Sequence, residues 1–219
     1  MVLNSSGNIE QFLFYTDPHI TIQTGSNTGI MMDRAYHDIN FIEAIYNSSP
    51  MSFFLCGGDW LGNSDLKSNA AEKLAYVDGF MRKKIKNYVP IIGNHDTNYQ
   101  GYESESSQTR DGRISDFILK DIWQKFREEQ KAYYLYKAPT CNIYIFDTGI
   151  ESEAVGIYQN EQLTWFANSL LNDTSAHIVV SMHIFYPGTI ASGVIQPITD
   201  KILLISQAYN ARSTIEVDG

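Results

Sequence analysis

Short apolar runs alternate along this chain with longer stretches in which apolar residues recur at helical spacing. Phe12-Leu-Phe-Tyr-Thr reads as a buried strand that stops at Asp17-Pro18, and Met51-Ser-Phe-Phe-Leu-Cys as a second, closed by Gly57-Gly58. Tyr88-Val-Pro-Ile-Ile predicts a third strand, stopped by Gly93. Between the first two, Met31, Ile39, Ile42 and Tyr46 share a helical face over residues 30–46, and Asn47-Ser-Ser-Pro50 ends that helix. Residues 65–86 predict a long amphipathic helix, with Ser64 or Asp65 as its cap and a basic last turn that suits the helix dipole.

After an irregular polar region over 97–113 the pattern resumes with a helix over about 114–129. Ala132 to Tyr136 and Asn142 to Phe146 predict a strand pair around Ala138-Pro139. Glu161 to Leu171 is an amphipathic helix, His177 to Met182 a further buried strand, and Asp200 to Tyr209 a last helix. Thr214-Ile-Glu-Val alternates like a strand, and Asp218-Gly219 signals a hairpin tip. Strands alternating with helices predict an α/β domain in layers, helices flanking sheet. The expectation is one domain over residues 1–219 whose second sheet is incomplete at its C-terminal end.

Composition narrows the class. The chain has 219 residues, 43% of them hydrophobic and 19% charged, which suits a packed core and not a disordered chain. Apolar runs such as Phe12–Tyr15 and Phe53–Cys56 fall far short of the ~20 residues that a bilayer span needs, and Met1-Val-Leu-Asn-Ser-Ser-Gly has neither the basic nor the apolar part of a secretory leader. Two cysteines, Cys56 and Cys141, make no disulfide framework, so the expectation is a cytoplasmic protein with reduced thiols. A net charge of −9 disfavours nucleic acid as a partner, because counterion release needs a basic face.

Four polar clusters each fall just past a predicted strand: Asp17-Pro18-His19, Gly58-Asp59-Trp60-Leu61-Gly62, Gly93-Asn94-His95-Asp96 and Ser181-Met182-His183. Sheets of this class collect ligands at strand C-terminal ends, so the four clusters are expected to meet at one edge. Asp17 and His19 are two apart, and an extended backbone would aim both to one side. A carboxylate beside an imidazole suits a borderline divalent ion such as Mn, Fe or Zn. The glycines before Asp59 let the backbone turn and approach closely, and the two oxygens of Asp59 allow it to bridge two cations. Asn94 offers a neutral amide oxygen. Asp96 is expected to accept a proton from the His95 ring and fix its tautomer.

Together, Asp17-X-His19, Gly58-Asp59-X-X-Gly62, Gly93-Asn94-His95-Asp96 and His183 resemble the motifs of the calcineurin-like metallophosphoesterases, over about Phe12 to Pro187. The Glu161-Gln-Leu-Thr-Trp-Phe helix is similar to the one that precedes the family's fourth motif. The resemblance implies two packed mixed β-sheets flanked by helices, around two divalent metal ions (Mn, Fe or Zn, with Mg as an alternative). It implies that Asp17 and His19 hold the first ion, that Asp59 bridges both, and that Asn94 and His183 hold the second. His95, supported by Asp96, would face the substrate phosphate. The family's fifth motif, Gly-His-X-His, has no counterpart, since no histidine follows His183; three protein ligands would then remain per ion, and the expectation is that the motif lies beyond the hairpin interrupted at Gly219.

The implied activity is hydrolysis of a phosphate mono- or diester by in-line attack of a metal-bridging hydroxide, with His95 donating a proton to the leaving oxygen. The substrate would be a phosphorylated small molecule or another phosphoester, and the fragment by itself would be weakly active. The competing reading is a metal-poor scaffold of the same fold; retention of the whole set, His95 included, weighs against it. Other polar residues get plainer roles: His37 a solvated or half-buried helix face, His177 a core or edge histidine, Asp147 a turn in preference to a support behind the ligands, Cys56 a small core residue, and Lys83-Lys84-Ile-Lys86 a solvated helix end. The tyrosines Tyr99, Tyr102, Tyr133, Tyr134 and Tyr136 include candidate substrate contacts, although strand packing accounts for most of them, and Arg110 and Arg113 are left out of the site.

Overall fold

The computed structural model describes residues 2–3, 9–19, 28–62, 67–98, 114, 133–148, 160–175 and 177–184. In β3 (Met51–Cys56) successive side chains point to opposite faces, and both faces are apolar. Phe53 and Leu55 go one way; Phe54 and Cys56 go the other. A strand apolar on both sides needs a layer on each, and the rest of the fold supplies them.

β3 lies between β2 (Ile9–Tyr15) and β4 (Tyr88–Pro90), parallel to both, and β1 (Val2–Leu3) adds antiparallel to β2. A second mixed sheet runs β5-β6-β7: β5 (Tyr134–Lys137) is antiparallel to β6 (Asn142–Phe146), which is parallel to β7 (Ile178–Met182). Phe53, Leu55, Val89 and Ile91 of the first sheet pack on Tyr134, Ile143 and Ile145 of the second. Phe54, Cys56 and Tyr88 face α1 (Thr28–Ser48) and α2 (Lys67–Lys84), meeting Ile39, Ile42, Leu74, Val77 and Met81. Tyr144 and Phe146, on the far face of β6, pack on Leu163, Phe166 and Leu170 of α3 (Asn160–Leu171). The expected α/β class, with two packed mixed sheets between helices, is therefore the observed one.

Register sets where the loops emerge. Tyr15 pairs with Cys56, and Cys56 with Pro90, so the chain leaves β2, β3 and β4 at one edge. Phe146 pairs with Met182, so β6 and β7 also end together. Pro90 has no N–H to give a further neighbour, which suits its place on an edge strand of the described sheet. A buried Tyr134 hydroxyl donates to the Pro90 carbonyl across the sheet interface.

The helix ends at Ser48 and Leu171 and the bounds of β3 and β6 match their expected positions. β2 starts three residues earlier than expected, and it is not buried throughout. Phe14, on the same face as Phe12 but nearer the strand end, is 52% exposed. The basic end of α2 is more than a solvated turn: Lys84 pairs with Glu43 of α1 at 2.7 Å, and Arg82 with Asp78 at 2.6 Å. Cys56 and Cys141 are buried thiols in different layers. His37 is an exposed position on α1. No helix among the described residues is long and apolar enough to cross a membrane. The cap at Ser64 or Asp65, the helices expected over 114–129 and 200–209, the strand and hairpin over 214–219, and Tyr99, Tyr102, Arg110 and Arg113 lie outside the described residues, save Ile114.

Phe53 and Phe14 give opposite expectations. Phe53 is buried between the sheets and stacks on Phe12 at 4.8 Å. Phe53→Ala should cost ~3–5 kcal/mol, which at ~2–4 °C per kcal/mol lowers the melting temperature by roughly 6–20 °C. Phe14→Ala should cost about 1 kcal/mol or less. Thermal unfolding of the two variants is the check, and equal losses would contradict this layering.

Candidate metal centre

The loops that leave β2 and β3 are fastened to one another by their backbones. The N–H of Gly57 donates to the Tyr15 carbonyl (2.8 Å), that of Asp17 to Gly58 (3.0 Å), and that of His19 to Asp59 (3.0 Å). Asp17, His19 and Asp59 all have left-handed backbones, with φ of 55°, 45° and 58°. That conformation costs an L-residue on the order of 1–2 kcal/mol. Asp17 and His19 thus do not converge through an extended segment, as their spacing suggested. The paired loops twist both residues inward instead, and His19 Nε2 lies 3.6 Å from Asp17 Oδ1.

Close approach explains two of the glycines. Gly58 has φ of 98°, and a Cβ there would come within 2.7 Å of Gly93 N and 2.9 Å of His183 Nδ1. A Cβ on Gly93 would run into the Asp59 carboxylate and backbone.

Asp59 sits at the centre of the cluster, 2% exposed. Its Oδ1 accepts the backbone N–H of His95 at 2.9 Å. Its Oδ2 faces three imidazoles: Nε2 of His183 at 3.2 Å, of His19 at 3.8 Å and of His95 at 3.8 Å. Two groups of donors therefore overlap on this one carboxylate, His19–Asp59–His95 and Asp17–Asp59–His183, the atoms of each lying within 4.8 Å of one another. The His19 and His95 rings meet edge to face, 4.6 Å between centroids.

His183 arrives from the second sheet, just past β7. Its Nδ1–H donates to the Gly57 carbonyl at 2.8 Å. Nε2 then faces Asn94 Oδ1 at 3.0 Å and Asp59 Oδ2 at 3.2 Å. Both oxygens accept and neither donates, so a bare lone pair on Nε2 would repel them. A cation belongs at that point, either a proton or a metal ion. An imidazole nitrogen, an amide oxygen and a carboxylate oxygen together suit a borderline divalent ion, so the residues present fit one. Burial alone would lower the pKa of His183, but the Asp59 carboxylate, the Gly57 carbonyl and Asp96 push it up to about 9. Burial lowers the pKa of His95 against the pull of Asp59, and His19 and His183 lower it further.

Asp96 departs from expectation. It is fully buried, and its carboxylate accepts three backbone N–H groups: Asp59 and Gly93 at 2.9 Å on Oδ2, and Leu61 at 3.0 Å on Oδ1. It does not take up the His95 ring. The reason is local geometry, since Asn94-His95-Asp96-Thr97 winds into a 3-10 turn over His95–Thr97. With about three residues per turn, adjacent side chains diverge. Burial and the Asp59 charge push the Asp96 pKa up to about 7, against the Gly93 and Leu61 N–H donors and the His183 charge.

Asp17, His19, Asp59, Asn94, His95 and His183 are thus brought together, and Asp96 lies beneath them as the tie between loops. His177 stays outside the cluster; its carbonyl accepts the N–H of Asn142. Three contributors carried no signal in the sequence. The Thr16 hydroxyl donates to Asp17 Oδ2; the Gly57 carbonyl orients His183; and Trp60, fully buried, donates its ring N–H to Tyr88 Oη at 3.0 Å, anchoring the loop beside Asp59. Backbone carbonyls look alike in every sequence, and a hydroxyl or indole announces a role only once its neighbours are known.

The family profile described as calcineurin-like phosphoesterase matches residues 11–206. Among curated proteins none matches the chain.

Two outcomes follow from this geometry. A histidine pKa raised on folding contributes stability that is complete below the unfolded value, near 6.5, and is lost as pH rises through about 9. Melting temperatures of the chelator-treated protein should therefore fall across that window, and His183→Gln should flatten the slope. Asp96→Asn sets an NH₂ against backbone N–H groups and should cost ~1–3 kcal/mol. Its melting temperature should drop roughly 2–12 °C at ~2–4 °C per kcal/mol, whereas a residue serving the His95 ring alone would leave it unchanged.

Proposed function

Because the chain belongs to the calcineurin-like phosphoesterases, a family of metal-dependent phosphoester hydrolases, we propose that it hydrolyses a phosphate mono- or diester at a two-ion centre built on Asp59. The observation that carries this reading is the overlap of two donor groups on that carboxylate. Those groups put His19 with His95 and Asp17 with His183; the family resemblance pairs the donors differently, with Asp17 and His19 (3.6 Å apart) holding one ion, Asn94 and His183 (3.0 Å apart) the other, and Asp59 both. The mixed nitrogen and oxygen donors favour Mn, Fe or Zn, with Mg as the alternative. When bound, such ions would supply Lewis-acid stabilisation of the phosphate oxygens and would lower the pKa of a water from ~15.7 toward ~7.

The chain's own residues supply the rest. Asp59 Oδ1 holds the His95 backbone, which fixes that ring at the rim beside His19. The His95 ring, edge to face with His19 and with Nε2 3.8 Å from Asp59 Oδ2, would pass a proton to the departing alkoxide. Asp96 keeps the loops of Asp59 and Asn94 at a fixed separation. Asp17 and His19 are partly exposed, so a substrate phosphate reaches the centre from their side.

Hydrolysis of nitrophenyl and simple alkyl phosphate esters by metal-loaded protein tests the proposal, alongside metal analysis. His95→Ala should keep its ions and lose ~10²–10⁴ in kcat on alkyl esters, with a smaller loss on nitrophenyl esters, whose leaving group needs no proton. His19→Ala and Asp59→Asn should lose metal. Equal losses on good and poor leaving groups would remove the acid role from His95, and absence of turnover with every ester would remove the enzymatic reading.

A further inference from the structure

His183 is the one candidate ligand that comes from the second sheet, so its position depends on how the end of β7 is held. We propose that Thr148 and Gln162, neither of which touches the cluster, are positioning residues that aim His183 at the second ion; this rests on His183 being a ligand, as read above. β6 and β7 run in register to the pair Phe146 and Met182, where the strand ladder ends. Two residues beyond in each strand, the Ile184 N–H donates to Thr148 Oγ1 at 3.0 Å. A side chain thereby replaces the next ladder bond and sets the direction in which residue 183 leaves the strand.

Thr148 is in turn held in place. It is 1% exposed, as is Gln162. The Gln162 carboxamide meets the backbone of Asp147 in both directions: Asp147 N–H donates to Oε1 at 3.0 Å, and Nε2–H donates to the Asp147 carbonyl at 2.8 Å. A primary amide bonded in this way stands in for an adjacent strand and keeps the segment from twisting. Asp147 is thus a buried position with a fastened backbone. The path runs from α3, through the Asp147 backbone and Thr148 Oγ1, to the residue after His183. Asp17 and His19 hang from the first sheet through Gly58 and Asp59.

The consequence is selective. With Nε2 only 3.0 Å from Asn94 Oδ1 and 3.2 Å from Asp59 Oδ2, a small shift of residue 183 withdraws one donor from the second ion and none from the first. Loss of an orienting partner typically weakens a metal site ~10–100-fold.

The experiment is Mn²⁺ titration of the purified protein, wild type against Thr148→Val and Thr148→Ser, read by bound ions per chain and by electron paramagnetic resonance. Valine keeps the shape of threonine without the acceptor; serine keeps the acceptor. The wild type should bind two ions with a spin-coupled spectrum. Thr148→Val should bind its first ion as the wild type does and its second ~10–100-fold more weakly, with an uncoupled spectrum at one equivalent, and Thr148→Ser should restore the coupled pair. If the valine variant shows no cooperative unfolding, Thr148→Ala is judged by the same criterion. A valine or alanine variant that melts lower yet binds both ions like the wild type would reduce Thr148 to a packing residue and overturn the proposal. A wild type that binds fewer than two ions would instead overturn the two-ion reading itself, and the assignment to Thr148 with it.

Discussion

A carboxylate with no access to water must find donors at its own atoms, and Asp96 finds them in backbone. Its three partners, the N–H groups of Gly93, Asp59 and Leu61, belong to the loops after β3 and β4. One side chain thereby fixes the separation of the segments that present Asp59, Asn94 and His95. Hydrogen bonds to a charged group contribute ~1.5–3 kcal/mol each, against a desolvation penalty of several kcal/mol for the buried ion. The net gain in stability is small, but the gain in uniqueness is large. Any other arrangement of the two loops would leave a buried charge, or buried N–H groups, unmatched.

That rigidity lets the site tolerate local strain. Asp17, His19 and Asp59 adopt left-handed backbones, which the fold holds through the bonds between their loops and through glycines at positions 58 and 93 that leave no room for a side chain. Residues kept in sparsely populated conformations are a recurring property of functional sites, where the surrounding structure over-determines them. Here the strain has a visible product, since it turns side chains from consecutive loops toward a single oxygen, Oδ2 of Asp59.

The cluster lies where the two sheets meet, and this joins its chemistry to the packing of the core. Phe53, Leu55, Ile143 and Ile145 hold the sheets face to face, and only then does His183 reach Gly57, Asn94 and Asp59. Among the described residues the site is therefore completed by an apolar interface whose members never touch it. The chain carries a net charge of −9, yet the oxygens around His183 Nε2 call for a cation. A bound pair of divalent ions would make that point the positive feature of an otherwise acidic protein.

The layered fold was legible because alternation and helical spacing are local properties: Met51–Cys56 reads as a strand apolar on both faces, and such a strand needs a layer on each side. The candidate residues were legible for a similar reason, since each follows a strand end and parallel strands finish at one edge. The sequence by itself thus determined the class of fold, the edge at which polar groups gather, and the residue types at that edge. Only the tertiary structure decided that Asp17 and His19 converge through left-handed turns, that Asp96 grips backbone instead of the His95 ring, and that Thr148 stands behind His183. Those outcomes depend on which groups from distant segments compete for a buried charge or a buried N–H. Such competition is settled by distances through space, and spacing along a chain does not record them.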